Sequence, residues 1–128
     1  MKINKNFIPY VNLKKQWVEE KKHLSKIILK VLSSGNFIGG EDISRFENLL
    51  CKYIGCKYAV ALNSGTDALT LGLKLIGISK GDEVITPSNS FISSTSSIVH
   101  LGARPKFIDV LPDQNIDPDK IESLITSK

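Results

Sequence analysis

Residues 58–69 read Tyr58-Ala59-Val60-Ala61-Leu62-Asn63-Ser64-Gly65-Thr66-Asp67-Ala68-Leu69. The mostly apolar stretch from Tyr58 to Leu62 predicts a short strand. Ser64 or a neighbour then caps a helix that runs to about Ile76 and carries Ala68, Leu69, Leu71, Leu73, Leu75 and Ile76. A strand that passes directly into a helix is half of a βαβ unit, and the pattern recurs downstream. Gly81-Asp82 turns into a strand over Glu83 to Thr86, and Pro87 opens a loop of small polar residues. A helix is predicted over Ile92 to Leu101, and Gly102-Ala103-Arg104-Pro105 leads into a strand over Lys106 to Val110. Asp117 caps a last helix with Pro118 at its first position. Alternating strands and helices predict an α/β fold built on a mainly parallel sheet with flanking helices. Three strands make a small sheet that needs helices on both faces, so the sequence reads as a part of a larger one.

Upstream of residue 58 the periodicity is helical. Phe7, Ile8, Tyr10, Val11 and Leu13 surround Pro9 in an extended opening. Trp17, Leu24, Ile27, Ile28, Val31 and Leu32 then recur at helical spacing over about 15–34, and Gly35 is a good stop. Asn36-Phe37-Ile38-Gly39-Gly40 is a loop. Ile43, Phe46, Leu50 and Tyr53 mark one face of a second helix, which Gly55 ends. The stripe on the first helix is wide for a peripheral element. It predicts side chains left open unless a partner subunit or further chain covers them. The organisation expected is residues 1–40 as an N-terminal arm, helix and loop, and 41–128 as the first part of a large domain.

Composition narrows the function classes. Of 128 residues, 41% are hydrophobic, enough for a packed core and too many for a disordered chain. No apolar run reaches the roughly 18 residues of a membrane span, and lysines interrupt any signal-like start. These features predict a cytoplasmic protein with no membrane partner. Cys51 and Cys56 lack the second Cys or His pair of a zinc set and read as reduced structural thiols, and no metal site is predicted. The net charge is +4, with Lys2, Lys5, Lys14, Lys15, Lys21, Lys22, Lys26 and Lys30 near the N-terminus. Such a cluster suits either a nucleic-acid footprint or a solvated helix face. The lysines have no interleaved arginines, the arginines being Arg45 and Arg104, which favours the solvated face and no nucleic-acid partner.

Two stretches carry chemistry. At Asn63-Ser64-Gly65-Thr66 a helix start offers unpaired backbone N–H groups and the positive end of the helix dipole, a place that suits a phosphate. Gly65 allows close approach, and Ser64 and Thr66 add hydroxyl donors. The same residues also serve an ordinary strand-to-helix turn, where they do no more than cap. Thr86-Pro87-Ser88-Asn89-Ser90-Phe91 likewise follows a strand, so a parallel sheet places it on the same carboxyl edge, where α/β proteins hold ligands. Phe91 can stack on a flat ring there or serve as core at a helix start.

The order of short motifs is more specific than any one of them. Gly35-Asn36-Phe37-Ile38-Gly39-Gly40 precedes Phe46-Glu47, a short strand and Asn63-Ser64-Gly65-Thr66-Asp67-Ala68-Leu69. Gly77-Ile78, Gly81-Asp82-Glu83-Val84-Ile85, Pro87-Ser88 with Phe91, Gly102-Ala103-Arg104-Pro105 and Phe107-Ile108-Asp109-Val110 follow. This series resembles the DegT/DnrJ/EryC1/StrS family of sugar aminotransferases that use pyridoxal phosphate (PLP). The likeness covers nearly the whole chain, and Ile8-Pro9-Tyr10-Val11-Asn12-Leu13 is similar to the family's opening.

The resemblance implies a PLP fold type I large domain, of the aspartate-aminotransferase type. It implies that Gly65 and Thr66 hold the cofactor phosphate, that Ser64 shapes the turn and that Phe91 stacks on the pyridine ring. Tyr10, Asn36, Phe37 and Ile38 would lie toward a nucleotide-linked keto sugar. Asp67 is a first-turn residue suited to the helix dipole, not a catalytic acid. The family's Schiff-base lysine and the aspartate at the pyridine nitrogen fall beyond residue 128, so the chain is not expected to transaminate by itself. The complete protein would move an amino group from a donor such as glutamate, as a homodimer, in amino-sugar and polysaccharide biosynthesis. Two alternatives stay open: a PLP-dependent sugar dehydratase of the same family, with histidine at the lysine position, and a non-enzymatic regulatory or partner-binding remnant.

Overall fold

The structure, a computed structural model, describes residues 8–128; Lys2, Lys5, Phe7 and the first residues of the expected arm lie outside the described residues. The chain divides into two compact units, one up to Ala59 and one from Val60 onward. The second helix, grouped above with the segment that follows it, falls in the first unit.

The first unit holds α1 (Leu13–Ser34) and α2 (Glu41–Ile54). Asn12 caps α1 by accepting the Lys15 N–H at 3.0 Å. Gly35, at φ 69°, closes the helix by donating its N–H to the Leu32 carbonyl. A left-handed residue at this place is where glycine avoids the Cβ clash that other residues meet. Gly55 ends α2 in the same way, bonded to the Cys51 carbonyl, while Glu41 and Asp42 sit at its electropositive start. Neither helix buries a residue. Trp17, Ile27 and Ile28 remain 45–48% exposed, as the wide stripe on α1 predicts. Both cysteines are free thiols. Desolvation and a hydrogen bond with the Cys56 thiol push the Cys51 thiol above its ordinary pKa. No described helix is long and apolar enough to cross a membrane.

The second unit contains α3 (Gly65–Leu75), β1 (Glu83–Pro87), α4 (Ile92–His100) and β2 (Arg104–Ile108). A 3-10 turn over Pro118–Lys120 and a single helical turn, α5 (Ile121–Leu124), follow. β1 and β2 pair in parallel, Glu83 opposite Arg104 and Pro87 opposite Ile108. With α4 crossing between them they form one βαβ unit. Its centre is Ile98, Ala103 and Ile108, each at most 5% exposed.

Two expectations are corrected. Tyr58 to Leu62 forms no strand, and the described sheet has two strands, not three. An apolar run becomes a strand only where another strand accepts its ladder bonds, and β1 and β2 pair only with one another. Tyr58 and Val60 are accordingly more than three-quarters exposed. The second strand begins at Arg104, two residues before the expected Lys106, because the Arg104 N–H already bonds the Asp82 carbonyl at 2.8 Å. Val110 lies past its end, in an isolated antiparallel bridge with Ile116 that closes a small hairpin over residues 109–117.

Candidate functional site

The turn before α3 is built by Ser64. In extended conformation (φ −154°, ψ 157°) it accepts the Asp67 N–H at 3.1 Å and donates its hydroxyl to Asp67 Oδ2 at 2.9 Å. This reciprocal cap commits the Ser64 side chain and explains Asp67: the carboxylate holds the cap and faces the positive end of the helix. The N–H groups of Gly65 and Thr66 find no hydrogen-bond partner among the described residues. A Cβ added to Gly65 would meet no atom within 4 Å. The space before the turn is therefore open to an anion, and glycine keeps it so. Two free N–H groups, a bare Cα and the Thr66 hydroxyl are a donor set that fits a phosphate.

The start of α4 is fixed to the same place. Thr66 Oγ1 and Ser93 Oγ lie 2.7 Å apart, and Ser97 Oγ donates to the Thr66 carbonyl at 3.3 Å. Thr70 Oγ1 donates to that carbonyl at 2.9 Å. Two helix starts are thus joined at the carboxyl edge of the β1–β2 pair. Phe91, the residue before α4, is 76% exposed. That exposure removes the reading of Phe91 as core and leaves an aromatic face free at the helix start.

The loop between β1 and Phe91 is held by polar contacts. The Ser88 N–H bonds the Ile108 carbonyl at 3.2 Å, and Ser90 and Ser94 share a hydroxyl contact at 2.8 Å. The Asn89 side-chain amide donates to Gln114 Oε1 in the hairpin. Gln114 is the one described non-glycine residue with positive φ, at 70°. Asp113 caps this hairpin turn; its hydrogen bonds from Asn115 hold its carboxyl below the usual carboxylate range. At the opposite edge, Glu83 meets Lys106 at 3.2 Å and Arg104 at 3.4 Å and accepts the Thr126 hydroxyl at 2.7 Å. Thr126, then Lys106, hold its carboxyl below the usual range.

The residues expected at the cofactor, Ser64, Gly65, Thr66 and Phe91, all lie in the second unit. Ser93 and Ser97 were not among them; their signal was a spacing of four within a helix. Tyr10, Asn36, Phe37 and Ile38 belong to the first unit. Tyr10 and Ile38 are almost fully exposed, and Asn36 and Phe37 border a groove with Lys30, Val31 and Ser34.

Comparison with known proteins bears on this arrangement. The model of the DegT/DnrJ/EryC1/StrS aminotransferase family matches residues 18–128. A UDP-2-acetamido-2-deoxy-3-oxo-D-glucuronate aminotransferase of Pseudomonas aeruginosa is 34% identical over 122 residues, covering 94% of this chain and 34% of the relative. The crystal structure of DesV from S. venezuelae superposes with a TM-score of 0.89 at 36% identity, covering 94% of this chain and 33% of DesV. NtdA from Bacillus subtilis, solved with its cofactor PMP bound, gives a TM-score of 0.84 at 34% identity over 97% of this chain and 30% of NtdA. The chain therefore spans about a third of the length of the relatives it matches. PMP is the aminated form of PLP, the cofactor of the group, and the neighbours share its fold type I. This chain belongs to the DegT/DnrJ/EryC1/StrS aminotransferase family.

Proposed function

We propose that residues 1–128 form the N-terminal part of a PLP-dependent aminotransferase that acts on a nucleotide-linked keto sugar. The observation that carries this reading is the pair of helix starts joined through Thr66 and Ser93, with two free N–H groups on one and an exposed aromatic ring on the other. Gly65 and Thr66 bind the cofactor phosphate through their N–H groups and the Thr66 hydroxyl. Ser64 holds the turn in shape, and Phe91 covers one face of the pyridine ring. When bound, PLP supplies the carbonyl group and the electron-withdrawing ring on which amino transfer depends. Tyr10, Asn36, Phe37 and Ile38 contact the sugar nucleotide. Glutamate is the amino donor, the working protein is a cytoplasmic homodimer, and its products are amino sugars for polysaccharides.

Residues 1–128 hold the cofactor but do not complete the chemistry. Titrating the chain with PLP should shift the backbone amide resonances of Gly65 and Thr66 first, and pyridoxal, which lacks the phosphate, should leave them in place. Borohydride reduction of the mixture should label surface lysines diffusely. Stoichiometric labelling of a single lysine would contradict the proposal that these residues lack the Schiff-base lysine. Reading the coding sequence beyond Lys128 tests the reaction class: a lysine in the family's motif supports amino transfer, and a histidine there points to a dehydratase.

A further inference from the structure

Ser97 is the most completely buried polar residue of the described chain, at 0% exposure, and Ser93 is also buried, at 8%. The binding scheme above uses neither. Both lie on the face of α4 turned toward α3, and both reach one residue, Thr66.

We propose that Ser93 is a positioning residue that aims the Thr66 hydroxyl at the cofactor phosphate, with Ser97 fixing the Thr66 backbone behind it. This rests on the placement of the phosphate at Gly65 and Thr66. A hydroxyl has one hydrogen and two acceptor sites. In the 2.7 Å Ser93–Thr66 contact either oxygen can be the donor. If Thr66 donates, the Ser93 hydrogen is left in a buried place, and Thr66 is its one hydrogen-bond partner among the described residues. If Ser93 donates, the hydrogen left over belongs to Thr66, which is only half-buried and stands beside the open space at Gly65. Stranding a buried donor is the costlier arrangement. Burial therefore selects Ser93 as donor and Thr66 as the outward donor, and an anion at the turn receives a hydrogen that already points to it. Ser97 and Thr70 both donate to the Thr66 carbonyl, which sets the peptide plane at the helix start. The direction of the free N–H groups follows from that plane.

The prediction separates Ser93 from its neighbours. Ser93→Ala should weaken PLP binding about three- to tenfold, the usual net effect of one hydrogen bond. It should leave the weak affinity for pyridoxal unchanged, which a general loss of structure would not do. Ser97→Ala should give a smaller loss. Ser96→Ala should give none, because its hydroxyl reaches only the Ser93 carbonyl, at 3.5 Å. The measurement is a titration of the 128-residue chain, with PLP followed at the amides of Gly65 and Thr66 and pyridoxal followed at the ring resonances of Phe91. Equal PLP affinity in Ser93→Ala and the parent chain overturns the positioning role and leaves the phosphate site standing. No response of the parent amides to PLP overturns the site itself. If Ser93→Ala loses the folded spectrum, Ser93→Thr decides. Retained PLP affinity with the hydroxyl kept supports the role, and its loss contradicts it.

Discussion

The residues up to Ala59 and those from Val60 onward show equally clear periodicity in the sequence but end in opposite states. In the first unit α1 and α2 are long and amphipathic, each closed by a glycine, and neither buries a residue. In the second, α4 has only nine residues, five of them Ser or Thr, yet it contains Ser93, Ser97 and Ile98, all buried. Periodicity reports that a helix has a face to cover. It does not report whether the covering surface is present. The βαβ unit supplies its own: β1 and β2 lie against α4, and α3 packs on α4 from the side. The apolar faces of α1 and α2 remain open.

Hydrogen exchange should show this contrast at its largest. Amides in β2 and the middle of α4 should be protected on the order of 100-fold more than those in α1, because protection follows local burial and packing. Equal protection in α1 would mean that something covers its Trp17 face in solution. A core truncation sharpens the comparison. Ile98→Ala should cost about 2–5 kcal/mol in denaturant unfolding followed through the second unit. Trp17→Ala, at a side chain 48% exposed in α1, should cost a clearly smaller amount.

Glycine replacements extend the contrast at lower magnitude. Gly102→Ala forces a residue at φ 77° and brings the new Cβ to 3.2 Å from Lys80 Cβ. The left-handed conformation alone costs about 1–2 kcal/mol. Gly35→Ala, at φ 69° with no atom within 4 Å, carries the conformational cost without the crowding. Thermal melts of the two variants should therefore rank Gly102→Ala as the more damaging.

The smallest effect expected is electrostatic. The Glu83 carboxyl is held below its ordinary pKa by Thr126 and Lys106. Its contribution is therefore fully present above the unfolded-chain value, about 4.3, and is lost as pH falls through the lower folded value. A carbon-detected titration should place the Glu83 midpoint below that of an exposed glutamate, and Thr126→Val should move it upward. A midpoint that ignores the substitution would show that the hydroxyl contact does not persist in solution.

Much of this architecture was legible from punctuation. Gly35 and Gly55 end their helices where the sequence predicts, and Ser64 caps α3. These signals are local, set by one residue's backbone freedom or one side chain's reach. What was not legible depended on partners distant in sequence. Tyr58 to Leu62 has strand composition, but a ladder needs a second strand. The Val110–Ile116 bridge was hidden because Gln114 adopts positive φ without being glycine. Phe91 has two chemically sensible fates, and composition cannot separate them. Ser93 and Ser97 were hidden for the opposite reason to Tyr58: hydroxyl residues are ordinarily read as solvent-facing, and only the approach of Thr66 makes their burial favourable.

The contacts of Thr126 with Glu83 and of Lys106 with the Leu124 carbonyl have a practical consequence. Glu83 is the first residue of β1, so Leu124 and Thr126 are tied to the amino end of the strands, whereas Phe91 and Gly65 stand at the carboxyl end. A fluorescent label carried on Ser127→Cys begins its path about a strand's length away, roughly 15 Å for five residues. A dye attached there stands clear of the open space at Gly65.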